Sequence, residues 1–330
     1  WAAVQTRYFV VASAVREGTA RGVVAAGERR PLPPETIALL PRGTAAQQEV
    51  AISSLVMSLP GELSPVNRFL IYAGPSEYFR LDRLDVRLDR AVDLGWTWLL
   101  PFSKALLQLL IWTFGVVKNY GVAIIILASL VRLVLHPLNA ASLKSMRALQ
   151  KLQPEVERLK QKYKRDAQAM NAAMMALYKE HKVNPAGGCL PLILYMPLFI
   201  ALYNVLFNAI ELRQAPFVAW MIDLSAPDHV FSIAGFPIRL LPILMCGSGL
   251  LQQAVTPTPP EQRPTMYIMN VVMLVFFYNL PSGLVLYWTV MNLLTAFQSW
   301  LVYRKGGGPS AGAPPPPATP TAAGARRRRG

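Results

Sequence analysis

The chain has 330 residues, 53% of them hydrophobic and only 15% charged, with a formal net charge of +15. Soluble domains carry about a quarter charged residues; the deficit here comes from long uncharged stretches, which exclude an ordinary soluble domain and point to a membrane protein. The basic excess lies between those stretches and in the tail, while residues 1–95 hold eleven Arg against ten Asp and Glu, a distribution that argues against DNA as a partner.

The chain opens WAAVQTRYFV, without an initiator Met, and reads as a fragment or mature form lacking a targeting segment. Within residues 1–94, RYFVVASAV, TIALL, QQEVAISSLVMSL and NRFLIYAGPSEYF are short runs rich in β-branched and aromatic residues, separated by Gly, Pro and charged turns. They predict part of an antiparallel β-sandwich. LDRLDVRLDRAVDLG follows as a charged linker with helical character. Residues 95–119 are apolar and Trp-rich but interrupted by Pro101, Lys104, Gln108 and Lys118. They predict an amphipathic helix lying in the membrane interface, with a core helix of the preceding domain as the alternative.

A five-span core is expected over 120–305, with spans at about 120–141, 188–209, 237–255, 265–280 and 283–302. A bilayer core of about 30 Å needs about 20 helical residues, so 265–280 is short and implies tilt or local thinning. NLPSG (279–283) makes the last two spans a helical hairpin. The segment Lys144 to Lys182 carries ten Lys and Arg against four acids, 211–236 one Arg against three acids, and the tail from Tyr303 six Lys and Arg with no acid. The positive-inside rule therefore places loop and tail in the cytoplasm and the β domain outside. Residues 142–183 read as a cytoplasmic helical hairpin: Met146, Leu149, Leu152, Val156, Leu159 and Tyr163 form one stripe, broken by Pro154, and Met170, Met174, Leu177 and His181 continue it after a turn. Residues 306–330 are a disordered Pro/Gly/Ala tail ending in four arginines. Lys144, Arg147, Lys151, Lys160, Lys162, Lys164 and Arg165, with Arg326, Arg327, Arg328 and Arg329, are candidate contacts for a ribosome or anionic lipid; solvated charge acting as a topology signal is the plain alternative.

One residue conflicts with the apolar pattern. In GVAIIILASLVRLVLHPL (121–138), Arg132 lies within a span, where the insertion cost is about 2.5–3.5 kcal/mol. On a helix, Ser129, His136 and Asn139 share its face. Weaker polar stripes occur at Trp288, Asn292, Thr295 and Ser299, and at Asn204, Asn208 and Glu211. No acid lies at comparable depth to neutralise Arg132, and arginine does not readily deprotonate. A water-filled cavity open to the cytoplasm would solvate it, leaving a fixed cation for an anionic partner; snorkelling to the interface is the alternative. Cys189 and Cys246, and the three histidines His136, His181 and His229, have no disulfide or metal-ligand spacing. No hydrolase, metalloprotease or P-loop motif occurs, so neither an enzyme nor a bound cofactor or metal is expected.

Several stretches together resemble the YidC-type membrane protein insertases. NPAGGCLPLILYMPLFIALYNVL (184–206) is similar to the family pattern NPxGGCxPxxxQMPxFxxLY; LRQAPFVAWMIDLSAPD (212–228), LPSGLVLYWTVMNLLTAFQSWLVYR (280–304) and VRLVLHPLNAASLKSMRALQKLQPE (131–155) match neighbouring parts. The likeness covers about 95–305, and residues 1–95 look like the end of the family's periplasmic β-sandwich, with the N-terminal span and the front of that domain missing. It implies an α-helical membrane fold: a five-helix bundle with a groove open to cytoplasm and lipid, which inserts and helps fold inner-membrane proteins, alone or with the SecYEG translocon, without nucleotide. The family's groove arginine falls on Arg132 and an important aromatic on Trp288, where many relatives have Tyr. Ala128 stands where relatives often have a hydroxyl, and Tyr195 where they commonly have Gln.

The expected mechanism follows. A nascent chain arrives at the basic loop and tail, whose charge would suit the RNA of its ribosome. Its acidic outer tail enters the groove lined by Arg132, Ser129, His136, Asn139, Trp288, Asn292 and Thr295, and its apolar segment slides past Met196, Phe199, Met273 and Phe276 into lipid. A small-anion transporter or channel is the alternative; no internal repeat of the transporter kind joins 120–209 to 237–302.

Overall fold

The computed structural model describes residues 1–17, 20–31, 47–57, 68–164, 166–184, 190–256 and 263–304. The TIALL run, Cys189, Arg165 and the tail with Arg326, Arg327, Arg328 and Arg329 lie outside the described residues.

The N-terminal part is β-rich and antiparallel. Strands β1 (Ala2–Gln5), β2 (Phe9–Glu17) and β5 (Arg68–Pro75) form one sheet in the order β1-β2-β5; β3 (Ala20–Pro31) and β4 (Gln47–Met57) form a second ladder. Neither β1 nor β3 stands out in the sequence: Ala2–Gln5 is too short, and Ala20–Pro31 is rich in Gly, Ala and Arg, residues that say little about strand formation. Along β2 the burial alternates, with Val10, Ala12 and Ala14 inside. Val10 and Ala12 pack against Leu81 and Leu88. Leu81 belongs to the short helix α1 (Tyr78–Asp82) and Leu88 to a 3-10 turn, Leu88–Ala91. The stretch that the sequence presents as a charged linker therefore supplies half of a small core, its two leucines turned inward while its charges stay out.

Two long stretches of helix follow. α2 (Leu100–Val117) and α3 (Tyr120–Val134) are separated by Lys118, in the left-handed region at φ 55°, and by Asn119, whose side chain accepts from the Val122 amide as an N-cap. α2 buries Ser103, Leu106, Leu107, Leu110 and Thr113. Phe102, Trp112 and Val116 are exposed together with Gln108, and Lys104 turns its ammonium over the Tyr78 ring at 4.8 Å. Among the described residues, two helices are by length and composition able to cross a membrane, α2 and α10 (Ser282–Arg304, over Ser282–Leu301), or three if a bent pair over Tyr120–Lys151 is one span.

The first expected span is bent. α3 ends at Val134, α4 (His136–Lys151) begins at once, and the two meet at 62°. Pro137 has no N–H to donate to the carbonyl four residues back, and its ring crowds that turn. A second break at Leu152 sets Pro154 at the start of α5 (Gln153–Lys162), and α6 (Ala167–Glu180) packs back on α5. Asp166 caps α6 by accepting from the Gln168 and Ala169 amides.

The other expected spans are also helical: α7 (Leu190–Asn208), α8 (Leu240–Val255), α9 (Arg263–Phe277) and α10. α8 and α9 are apolar but shorter than a full crossing. α10 packs against α8, α3 and α7, α2 against α3 and α7, and α9 chiefly against α8, with Phe277 also reaching Trp288 of α10. The core gathers Leu106 and Leu110, Ile124 and Leu127, Leu202 and Leu206, Met245, Leu284 and Val285. Close approach depends on glycine at Gly121, where an added Cβ would stand 2.1 Å from the Phe217 ring. α9 is peripheral, with Val271, Val272, Val275 and Phe276 exposed.

Candidate functional site

Where α3, α4, α7, α8 and α10 meet, the bundle holds an open cavity of about 430 Å3. Its wall includes Ser142 and Met146 of α4, Thr256 at the end of α8, and Thr295 and Ser299 late in α10, so it lies at the end from which the α5–α6 hairpin emerges. Ile124, Leu127, Ala128 and Val131 hold α3 in the core and leave Arg132 at the cavity wall.

The arginine is held by a tyrosine. Arg132 Nη1 donates to the Tyr195 hydroxyl at 3.1 Å, and that hydroxyl donates to Asn139 Oδ1 at 2.8 Å, with Asn139 Nδ2 at 2.6 Å from the same oxygen. Because a phenol has one proton, accepting from Arg132 and donating to Asn139 is the consistent arrangement. Arg132 Nε is buried without a protein partner. No ion pair to Arg132 forms among the described residues; the other group close to it is the Tyr287 hydroxyl.

Of the groove residues named from sequence, Arg132, Asn139, Trp288, Asn292 and Thr295 line the cavity, as do Met196 and Phe199. Trp288 stands between Phe199 (5.2 Å, edge-on) and Phe277 (5.1 Å). Asn292 Nδ2 donates to Ser248 Oγ at 3.1 Å and Thr256 Oγ1 to Ser299 Oγ at 3.2 Å, tying α10 to α8 with polar contacts along the wall. Ser129 and His136 do not line the cavity. Ser129 Oγ donates to the Ile125 carbonyl of its own helix at 2.8 Å, and His136 Nδ1 meets Gln298 Nε2 at 2.8 Å. The 62° break at Leu135 prevents the single straight face that the spacing predicts; His136 meets α10 beyond it, and Ser129, on α3 with Arg132, is turned to its own backbone.

Phe276 lies elsewhere, lining a second cavity of about 520 Å3 with Phe199, Tyr203, Asn204 and Trp96. Met273 packs, half-buried, against the bundle core. Of the basic residues, Lys144, Lys151, Lys162 and Lys164 are exposed on α4, α5 and the turn that follows, and Arg147 and Lys160 are half-buried. Sequence reasoning missed Tyr195, Ser142, Gln252, Thr256 and Tyr287 as cavity residues. Tyr195 is the first polar side chain in the apolar run of α7, but only packing shows which way its hydroxyl points.

Comparison with known proteins gives the family. A family described as 60Kd inner membrane protein matches residues 112–307, and one described as YidC periplasmic domain matches residues 1–107. The chain is similar to the membrane protein insertase YidC of Marinobacter nauticus, at 45% identity over 74% of this chain and 42% of that protein. It is also similar to the namesake in Oleidesulfovibrio alaskensis, at 39% identity over 92% of this chain and 54% of that protein. The chain thus spans about half the length of the curated relatives it matches. A crystal structure described as an active YidC insertase with the first transmembrane domain resolved shares the fold, with a TM-score of 0.53 at 24% identity over 78% of this chain and 58% of that one. With one family pattern matching more than half of its residues and a second matching those before it, the chain belongs to the YidC family of inner-membrane proteins.

Proposed function

We propose that this chain forms the insertion core of a membrane protein insertase, acting on nascent inner-membrane proteins without cofactor or covalent chemistry. The observation that carries the reading is Arg132: a guanidinium at the wall of an open cavity, bonded to a neutral phenol and faced by no carboxylate among the described residues. A cation so placed needs water or an arriving anion. In this reading the cavity is hydrated, opens to the cytoplasm, and draws in a substrate's acidic outer tail, while the substrate's apolar segment passes Met196, Phe199, Met273 and Phe276 into lipid. Transfer of an apolar helix into lipid, at about 25 cal/mol per Å2, supplies the drive, so the groove has only to lower the barrier for the polar end.

The wider assignments belong to the same proposal: five spans in the inner membrane, the β-rich part in the periplasm, the α5–α6 hairpin and tail in the cytoplasm near the ribosome, and cooperation with SecYEG. The family match and the distribution of basic and acidic residues between the loops support it. The test is reconstitution in liposomes with a single-span substrate bearing an acidic tail. Arg132→Ala should lose most insertion of that substrate and Arg132→Lys should keep much of it. Equal insertion by the alanine variant would remove the role given to Arg132; saturable uptake of small anions would favour a transporter instead.

A further inference from the structure

The segment between α7 and α8 contains a small β-hairpin that the insertion reading does not use. β6 (Phe231–Ile233) pairs antiparallel with β7 (Phe236–Ile238) through the two-residue turn Ala234–Gly235, both at positive φ (49° and 83°). That is the primed turn whose twist suits a tight hairpin. The register sets Phe231 opposite Ile238 and Ile233 opposite Phe236. Because side chains alternate along a strand and opposed residues share a face, these four apolar side chains lie on one face, and Ser232 and Pro237 on the other. Phe231 (51%), Ile233 (58%) and Phe236 (58%) are exposed, an uncommon concentration on so small an element.

The hairpin is held firmly. The Tyr278 hydroxyl donates to the Pro237 carbonyl at 2.5 Å, and the Tyr278 ring stacks on Phe236 at 5.6 Å. Arg239 donates to the Tyr278 carbonyl and to Asn279 Oδ1. The hairpin is therefore fixed to the turn between α9 and α10, at the end of the bundle away from the arginine cavity. It runs directly into α8 and adjoins α9, whose outward side exposes Val271, Val272, Val275 and Phe276. No charged residue occurs from Val230 to Ile238, while His229 and Arg239 flank that run.

We infer that the apolar face of this hairpin is embedded in the outer leaflet of the bilayer, with lipid acyl chains as its partner. The hairpin is fastened to Tyr278, the residue that follows α9, so the medium that covers the bare side of α9 lies next to it, and the pattern of uncharged apolar face with polar flanks is that of an interfacial anchor. The inference rests on the reading that α8 and α9 cross the membrane.

The test uses the whole chain in lipid vesicles, in a Cys189→Ser, Cys246→Ser background, with a nitroxide at Ile233→Cys, Ser232→Cys or Leu293→Cys. Leu293, exposed on α10, reports on the membrane reading itself. Ile233→Cys should be accessible to oxygen and shielded from a water-soluble nickel chelate, at a depth of about 5–10 Å, with several-fold less shielding at Ser232→Cys. Adding Phe231→Asp should abolish that contrast. Nickel access at Ile233→Cys with a lipid-exposed Leu293→Cys overturns the hairpin proposal alone. Nickel access at both overturns the membrane reading and this inference with it. A site closed to both reagents shows a protein partner, such as a second copy, and overturns the assignment to lipid.

Discussion

At the scale of single residues, the phenol of Tyr195 joins two parts of the chain that a sharp bend separates. It accepts from Arg132 on α3 and donates to Asn139 on α4. Tyr195→Phe leaves the buried Asn139 amide without its partner, at an expected cost of about 1–3 kcal/mol, to be read as a lower midpoint of unfolding in detergent. Tyr195→Gln, with a carbonyl that can accept from Arg132, should retain more of the stability. Glu211 follows a different logic. It lies in the 3-10 turn Ile210–Leu212 just beyond α7, where burial first, and then the nearby Glu77 carboxylate, push its carboxyl upward from the usual range. A carboxyl raised in the folded state favours folding while protonated, and that contribution is lost as pH rises through the folded value. Glu211→Gln should therefore flatten the dependence of thermal stability on pH above the ordinary glutamate range, and raise stability at neutral pH. Melting curves between acid and neutral pH decide it: an unchanged slope would exclude this role.

At the scale of elements, Pro137 sets the direction of α4. Replacing it with alanine restores a donor for the preceding turn and removes the ring clash, so Pro137→Ala should open the 62° bend and separate Asn139 from Tyr195. Spin labels on α3 and α4 would show a longer distance between the two helices if the proline causes the bend, and no change if packing does. Gly121 is a packing requirement of the same helix. A methyl there meets the Phe217 ring at 2.1 Å, and Gly121→Ala should destabilise by about 1–3 kcal/mol, seen in the same detergent unfolding experiment. The helices were legible as apolar runs bounded by Gly, Pro and polar residues, because length and punctuation are local. Pro137 marks the place of the bend within the 120–141 run, but not its 62° size. β1 and β3 escaped notice because their residues have little strand preference, and pairing with a neighbour supplies what propensity lacks.

At the scale of the whole molecule, the β-rich part is fastened to the bundle by two arginines. Arg7 donates from Nε to the Phe207 carbonyl at 2.9 Å and lies over the Phe207 ring at 3.8 Å, while Arg213 lies over the Phe9 ring at 4.9 Å. Each sits where the other part offers an aromatic face, at about 0.5–1 kcal/mol for an exposed contact. Arg7→Ala combined with Arg213→Ala should loosen the junction, raising amide exchange around β2 and the end of α7 while leaving the bundle core protected. Uniform exchange in variant and parent would mean that the fastening lies elsewhere. The sequence by itself determined where the apolar runs lie, that Arg132 interrupts one of them with no acid in that run, and, through motif likeness, the family. These are properties of composition and order along the chain, and need no contact to be known. Only the tertiary structure decided that Arg132 rests on Tyr195, 63 positions away, that His136 turns to Gln298 instead of the cavity, and that the charged linker completes a core. Each of those depends on which helix faces meet, and a side chain's partner across such an interface is set by packing rather than by its neighbours in sequence.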